Sequence, residues 1–146
     1  MTTIAASVKF KQIAADSMAS ADGYYYSVSK LISTPTGGFG GTGEWPSVLK
    51  YIHGIQNGAP DDELDVTVLE LRDNTLWLWD GTERPFAIKQ EFYAIGTGAA
   101  YAICAMHLGK SPAEAVEIAS LFDPGTRAPI DIIDMGGGNA TKSKRR

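Results

Sequence analysis

The sequence predicts an α+β domain in which two β-sheets lie between helices, and three observations carry that expectation. Short runs rich in β-branched and aromatic residues dominate the chain as far as Gly96, with one helix-like interruption. An Ala-rich apolar stretch and a capped helix then follow in succession between Ala99 and Phe122. A final apolar run, Ile130-Asp131-Ile132-Ile133, returns to strand.

Thr3-Ile4-Ala5-Ala6-Ser7-Val8 and Gln12-Ile13-Ala14-Ala15-Asp16 read as a hairpin across the polar Lys9-Phe10-Lys11. Tyr24 through Ile32 reads as a third strand, and the glycine-rich Gly37–Gly43 follows it. From Trp45 to Ile55 the apolar spacing is helical, and Pro46 suits a first turn, where its missing N–H leaves nothing unsatisfied. Asn57-Gly58-Ala59-Pro60-Asp61-Asp62 is a loop. Val66–Leu71 and Thr75–Trp79 form another hairpin around Arg72-Asp73-Asn74. Trp77 and Trp79 alternate with Leu76 and Leu78, so both faces of that strand are apolar, which suits a strand between layers or at a subunit contact. Phe86 to Gly96 supplies further extended segments. Ala99 to Leu108 is a helix closed by Gly109. Ser111-Pro112-Ala113-Glu114 opens the next with a capping box, and that helix runs to about Phe122.

A chain of 146 residues suits one domain, here residues 1–135, and no repeat or linker divides it. Residues 136–146 read as a flexible glycine-rich basic tail. Four of the 13 bases lie in that tail, so residues 1–135 carry 17 acids against 9 bases, a net of −8. An acidic body argues against a nucleic-acid binder. No apolar run is long enough for a membrane span, and no signal-peptide pattern opens the chain. The single Cys104 excludes an internal disulfide framework and a Cys-rich zinc site, fits a reducing, cytoplasmic setting, and reads as a small core residue on its apolar helix. His53 and His107 lack ligand spacing, so no metal is expected. Gly37–Gly43 lacks the Gly-Lys-Ser/Thr ending of a phosphate loop, and no cofactor is expected.

The start, Met1-Thr2-Thr3, carries chemistry of its own. Removal of Met1, favoured by the small side chain that follows, leaves Thr2 with a free α-amine beside its own hydroxyl, a nucleophile and a base on one residue. Asp16 ends the second strand, Lys30 lies in the third, and Phe39-Gly40-Gly41-Thr42 offers backbone N–H groups. Ile95-Gly96-Thr97-Gly98 and Phe122-Asp123-Pro124-Gly125-Thr126 come later. Singly, each has a plainer reading: a solvated lysine, a turn-forming aspartate, a helix-ending turn, glycines serving a tight chain path.

In this order, over nearly all of residues 2–135, these segments resemble the proteasome β-subunit family of N-terminal nucleophile hydrolases, especially its small HslV-like bacterial members. The most specific part runs from Tyr93 to Asp123, a helix pair introduced by a Gly-Ser/Thr-Gly motif. The resemblance implies a four-layer αββα sandwich and a threonine-type endopeptidase. It aligns Thr2 with the nucleophile, Asp16 with the buried aspartate, Lys30 with the catalytic lysine and Gly40 with the oxyanion-hole glycine. Thr97 aligns with a serine that orders the proton relay, and Asp123 and Thr126 align with an Asp-x-x-Ser element behind the nucleophile. Ser20 and Thr42 fall beside the bound peptide, and Ala19, Val28 and Gly38 fall in the pocket. These last three are small or apolar and suggest apolar side chains before the cut.

The roles are chemically coherent. An α-amine titrates at roughly 7.7–8, and a nearby cation favours its neutral, basic form. An N–H at Gly40 would stabilise a tetrahedral oxyanion by roughly 3–4 kcal/mol. The resemblance further implies a homo-oligomeric ring that encloses its sites, unfolded polypeptide as substrate, and an ATPase unfoldase as a possible partner. Three features depart from the family pattern: Thr97 in place of serine, Thr126-Arg127-Ala128 without the usual glycine pair, and one clear helix, Glu44 to about Gln56, where the family has two. The alternatives are a proteasome-like scaffold without turnover and an amidohydrolase of small amides.

Overall fold

The computed structural model describes residues 2–58, 60, 65–81, 84–136 and 142–144. The chain begins with β1 (Thr3–Ser7), β2 (Gln12–Ala15), β3 (Met18–Ala21), β4 (Tyr24–Ser27), β5 (Leu31–Thr34) and β6 (Gly37–Thr42). Helix α1 (Trp45–Gln56) leads to β7 (Thr67–Arg72), β8 (Thr75–Trp79), β9 (Phe86–Ile88) and β10 (Phe92–Gly96). Then come α2 (Ala99–His107), α3 (Pro112–Phe122), β11 (Ile130–Asp134) and β12 (Lys142–Lys144). The architecture is α+β, with one sheet in the order β10-β1-β2-β11-β12, a second in the order β5-β6-β7-β8-β9, and β3-β4 as a separate hairpin.

Strand periodicity explains how the layers meet. β1 and β2 are buried on both faces. Ala5 and Ala14 point to the core shared with α2 and α3, where small side chains let the helices approach. Ile4, Ala6, Ile13 and Ala15 point the other way, against Leu69, Leu71 and Leu76 of the second sheet. On that sheet's far face, Phe39, Val68 and Trp79 pack on Val48, Tyr51 and Ile52 of α1. The expected apolar faces of β8 are thus both used: Leu76 and Leu78 between the sheets, Trp79 against α1 with its ring edge-on to Tyr51.

The helices follow their sequence signals. Pro46 lies in the first turn of α1, and Ser111 and Glu114 complete a reciprocal capping box on α3. Three expectations need correction. Tyr24 to Ile32 is not one strand, because the chain pairs with Met18–Ala21 as far as Ser27 and only rejoins a sheet at Leu31. Cys104 is exposed rather than in the core, since it lies on the outer face of α2. Of the tail, residues 137–141 and 145–146 lie outside the described residues, while Lys142–Lys144 pair with β11 rather than trailing free. Among the described residues α1 is the one helix between β6 and β7, and no helix is long and apolar enough to cross a membrane.

The α1 side of the second sheet buries a carboxylate. Glu70 accepts from the Trp79 indole N–H at 3.0 Å and lies 3.6 Å from the Arg72 guanidinium, which in turn stacks on Trp77. Burial pushes the Glu70 carboxyl above its ordinary range, against the opposing effects of Trp79 and Arg72. The folded state therefore favours the protonated form. Stability linked to Glu70 is complete below the unfolded pKa and declines as pH rises through the raised folded one. Glu70→Gln keeps an oxygen for Trp79 and is expected to raise the melting temperature at neutral pH relative to acidic pH. Thermal melts at both pH values check this, and an equal shift at both would refute it.

Candidate active site

Two glycines of β10 and the turn after it set the site's first half. Gly96 pairs with Thr3 and has φ +99°, and a Cβ there would run into the Thr2 carbonyl. A Cβ on Gly98 would overlap the Thr3 hydroxyl and come within 3.1 Å of the Thr126 hydroxyl. Between them, Thr97 Oγ1 accepts from the Thr2 backbone nitrogen at 3.4 Å and donates to Asp123 Oδ2 at 2.7 Å. Thr126 Oγ1 donates to the same oxygen at 2.6 Å. That donation uses Thr126's only proton, so in the 2.6 Å pair of Thr3 and Thr126 hydroxyls Thr3 is the donor. Burial alone would raise the Asp123 carboxyl, but the Thr126 and Thr97 hydroxyls and the Gly125 N–H together hold it below the ordinary range.

Gly98→Ala is expected to destabilise the domain by roughly 1–3 kcal/mol, the usual cost of overpacking. It should also lower any activity at Thr2, because the Thr3–Thr126 pair must move. Thermal melts check the first effect, and an unchanged melting temperature would mean that these hydroxyls relax freely.

The second half centres on a buried ion pair. Lys30 follows the β4 hairpin, and its side chain turns inward, leaving the residue 4% exposed. Its Nζ donates to Thr2 Oγ1 at 2.9 Å and to Asp16 Oδ1 at 3.0 Å. Asp16 is fully buried and also accepts the backbone N–H groups of Thr3, Met18 and Arg127 at 3.1–3.2 Å. Burial pushes the Lys30 ammonium below its ordinary range, and the Asp16 carboxylate works against that shift.

Thr2, Lys30, Ala19, Ser20 and Val28 line one cleft of about 220 Å³. Thr97, Asp123 and Thr126 lie behind it, joined through the Thr2 nitrogen and Thr3. The other expected glycines are placed differently. Gly41 lines the cleft, whereas Gly40 presents its α-carbon to Ile4 and Leu31 between the sheets. Gly38 faces Ile13 and Ile133 in the same core, and Thr42 ends β6 opposite Thr67. Met1 lies outside the described residues. Sequence reasoning missed Tyr26, Glu44 and Trp45 at the cleft, and Thr3 in the hydroxyl chain. Tyr26 was recoverable in principle: Asp22-Gly23 is a hairpin-turn signal that sets Tyr26 opposite Ala19. His53 and His107 are exposed in the last turns of α1 and α2.

No protein-family model and no curated protein matches the chain. Solved structures do. HslV from Trypanosoma brucei superposes with a TM-score of 0.75 at 15% identity, over 90% of this chain and 97% of that one. BPH from Thiobacillus denitrificans, in complex with epoxomicin, gives 0.70 at 17% identity, over 92% and 100%. A Gly-1 mutant of Anbu from Hyphomicrobium sp. strain MC1 gives 0.74 at 12% identity, over 99% and 86%. The chain has the fold these proteins share, that of the proteasome-like N-terminal nucleophile hydrolases.

Proposed function

We propose that this chain is a threonine-type endopeptidase subunit of a self-enclosing homo-oligomeric ring, built as a four-layer αββα sandwich of the N-terminal nucleophile hydrolase type. One observation carries the reading: Lys30 Nζ lies within hydrogen-bond distance of both Thr2 Oγ1 and the buried Asp16 carboxylate. A surface lysine has no reason to be held in that way.

The chemistry follows from who donates to whom. Met1 removal frees the Thr2 amine. Thr97 accepts one of its N–H groups, which helps aim the nitrogen lone pair, and the amine takes the Thr2 hydroxyl proton as the oxygen attacks a peptide carbonyl. Lys30 donates to that oxygen and stabilises its developing negative charge, while Asp16 holds the ammonium in place. A backbone N–H of the Gly40-Gly41 segment receives the tetrahedral oxyanion. The amine passes its proton to the leaving nitrogen, the first product departs, and water hydrolyses the ester on Thr2. In this reading the substrate is unfolded polypeptide in the cytoplasm. Energy for unfolding comes from a separate ATPase, and the chain uses neither metal nor cofactor.

The deciding experiment is an intact mass spectrum of the assembled protein before and after an epoxyketone inhibitor. That reagent needs an N-terminal amine and the adjacent hydroxyl to close its adduct. Loss of Met1 with one adduct mapped to Thr2 is the expected result. Met1 retained in assembled protein, with no adduct, would overturn it in favour of a scaffold that keeps the fold without turnover.

A further inference from the structure

Resting on the reading of Thr2 as nucleophile, we infer that Glu44 is a specificity-determining residue that makes the cleft select a basic side chain, lysine or arginine, beside the bond to be cut. Two small residues that line the cleft, Ala19 and Val28, suggest apolar side chains. Other residues of the same lining change that expectation. Glu44, Trp45 and Tyr26 line the same cleft as Thr2. The Lys30 ammonium there is balanced by Asp16 beneath it, so Glu44 supplies the cleft's net charge.

Glu44 is poised for a ligand rather than for the fold. It occupies the N-cap position of α1 yet makes no side-chain capping bond. It is exposed, and among the described residues its carboxylate has no hydrogen bond or ion pair. Two aromatic residues line the same cleft: Trp45, half-buried at the start of α1, and Tyr26, 44% exposed on the β3-β4 hairpin. A carboxylate beside two aromatic side chains is the chemistry that holds an alkyl-ammonium or guanidinium group, through charge pairing and attraction to the rings. The same set disfavours an acidic side chain, which would meet Glu44 directly. The acidic body, with a net of −8 over residues 1–135, adds attraction for cationic peptides at low ionic strength.

The test reads binding, which does not depend on turnover. Blocked tripeptide amides ending in arginine, leucine or glutamate are titrated calorimetrically into the parent protein and into Glu44→Gln, at low and at high salt. The arginine peptide is expected to bind about five- to tenfold more tightly than the leucine peptide to the parent. That preference should shrink with salt, vanish in Glu44→Gln and survive in part in Glu44→Asp. Equal binding of arginine and leucine peptides by the parent overturns the assignment, as does an arginine preference unchanged in Glu44→Gln. Should Glu44→Gln lose its helical circular-dichroism signal, Tyr26→Leu on the exposed hairpin serves instead, with an expected two- to fivefold loss confined to the arginine peptide. An equal loss for all three peptides there counts against the proposal. Failure here, with the epoxyketone adduct still forming on Thr2, removes Glu44's role and leaves the nucleophile standing. A preserved arginine preference without an adduct does the reverse.

Discussion

Thr2→Ala is expected to lower peptide hydrolysis by roughly 10³-fold or more while leaving the fold in place. The change removes the hydroxyl, which accepts from the Lys30 ammonium at 2.9 Å. Lys30 keeps Asp16 after the change, so no buried charge is left alone. Losing the Lys30 hydrogen bond costs about 1 kcal/mol, a fall of roughly 2–4 °C in melting temperature for a domain of this size. The backbone nitrogen of Thr2 still reaches Thr97, and the Thr3–Thr126–Asp123 chain is untouched. Thr2→Ser keeps both amine and hydroxyl and should turn over. Fluorogenic peptide assays beside thermal melts check the pair. Turnover by Thr2→Ala at the parent's rate would place the nucleophile elsewhere.

The site was legible to different depths in its two halves, for physical reasons. Thr2, Asp16 and Lys30 were legible through their order along the chain and its resemblance to a known family, and of the three the β1-β2 hairpin joins only the first two, setting Asp16 beside Thr3. What no sequence pattern carries is the inward turn of Lys30. The Tyr24–Ile32 run has uniform strand propensity, and the break after Ser27 arises from competing partners: Val28 N–H bonds to Ser17, and Leu31 opens the second sheet opposite Gly40. Strand β3 was hidden for the converse reason. Met18-Ala19-Ser20-Ala21 has few β-branched or aromatic residues, so its strand form depends on pairing with Tyr24–Ser27 across the Asp22-Gly23 turn, where both residues have positive φ.

Glycines mark the other boundary of legibility. Gly38, Gly40 and Gly41 all lie in β6, and alternation turns Gly40 to the core between the sheets and Gly41 toward Val48 of α1. Sequence order alone could not say which of the pair borders the cleft. Gly96 and Gly98 were read as a motif, and the structure supplies its cause: one spares the Thr2 carbonyl, the other the Thr3 hydroxyl. The helices, by contrast, followed local rules that tertiary packing did not override, from Pro46 in α1 to the Ser111–Glu114 box in α3.

Asp16→Asn is expected to cost more stability than any other single change at the site, about 3–5 kcal/mol, and to abolish turnover as well. The carboxylate is used to capacity: Oδ1 takes Thr3 N–H and Lys30, and Oδ2 takes Met18 N–H and Arg127 N–H. It thereby ties β1, β3 and the segment before β11 to one buried point. An amide has one accepting oxygen, so in either orientation its NH₂ group meets donors, the two N–H groups on one side or Thr3 and Lys30 on the other. Lys30 would also lose its buried counterion. Lys30→Met separates the two roles. It leaves three N–H groups supporting the Asp16 charge, so it should destabilise less than Asp16→Asn while removing turnover as completely. Denaturant melts give the order of stabilities, and peptide assays give the activities. If Lys30→Met proved the more destabilising, the carboxylate would be serving the lysine, and the frame of backbone bonds around Asp16 would be secondary.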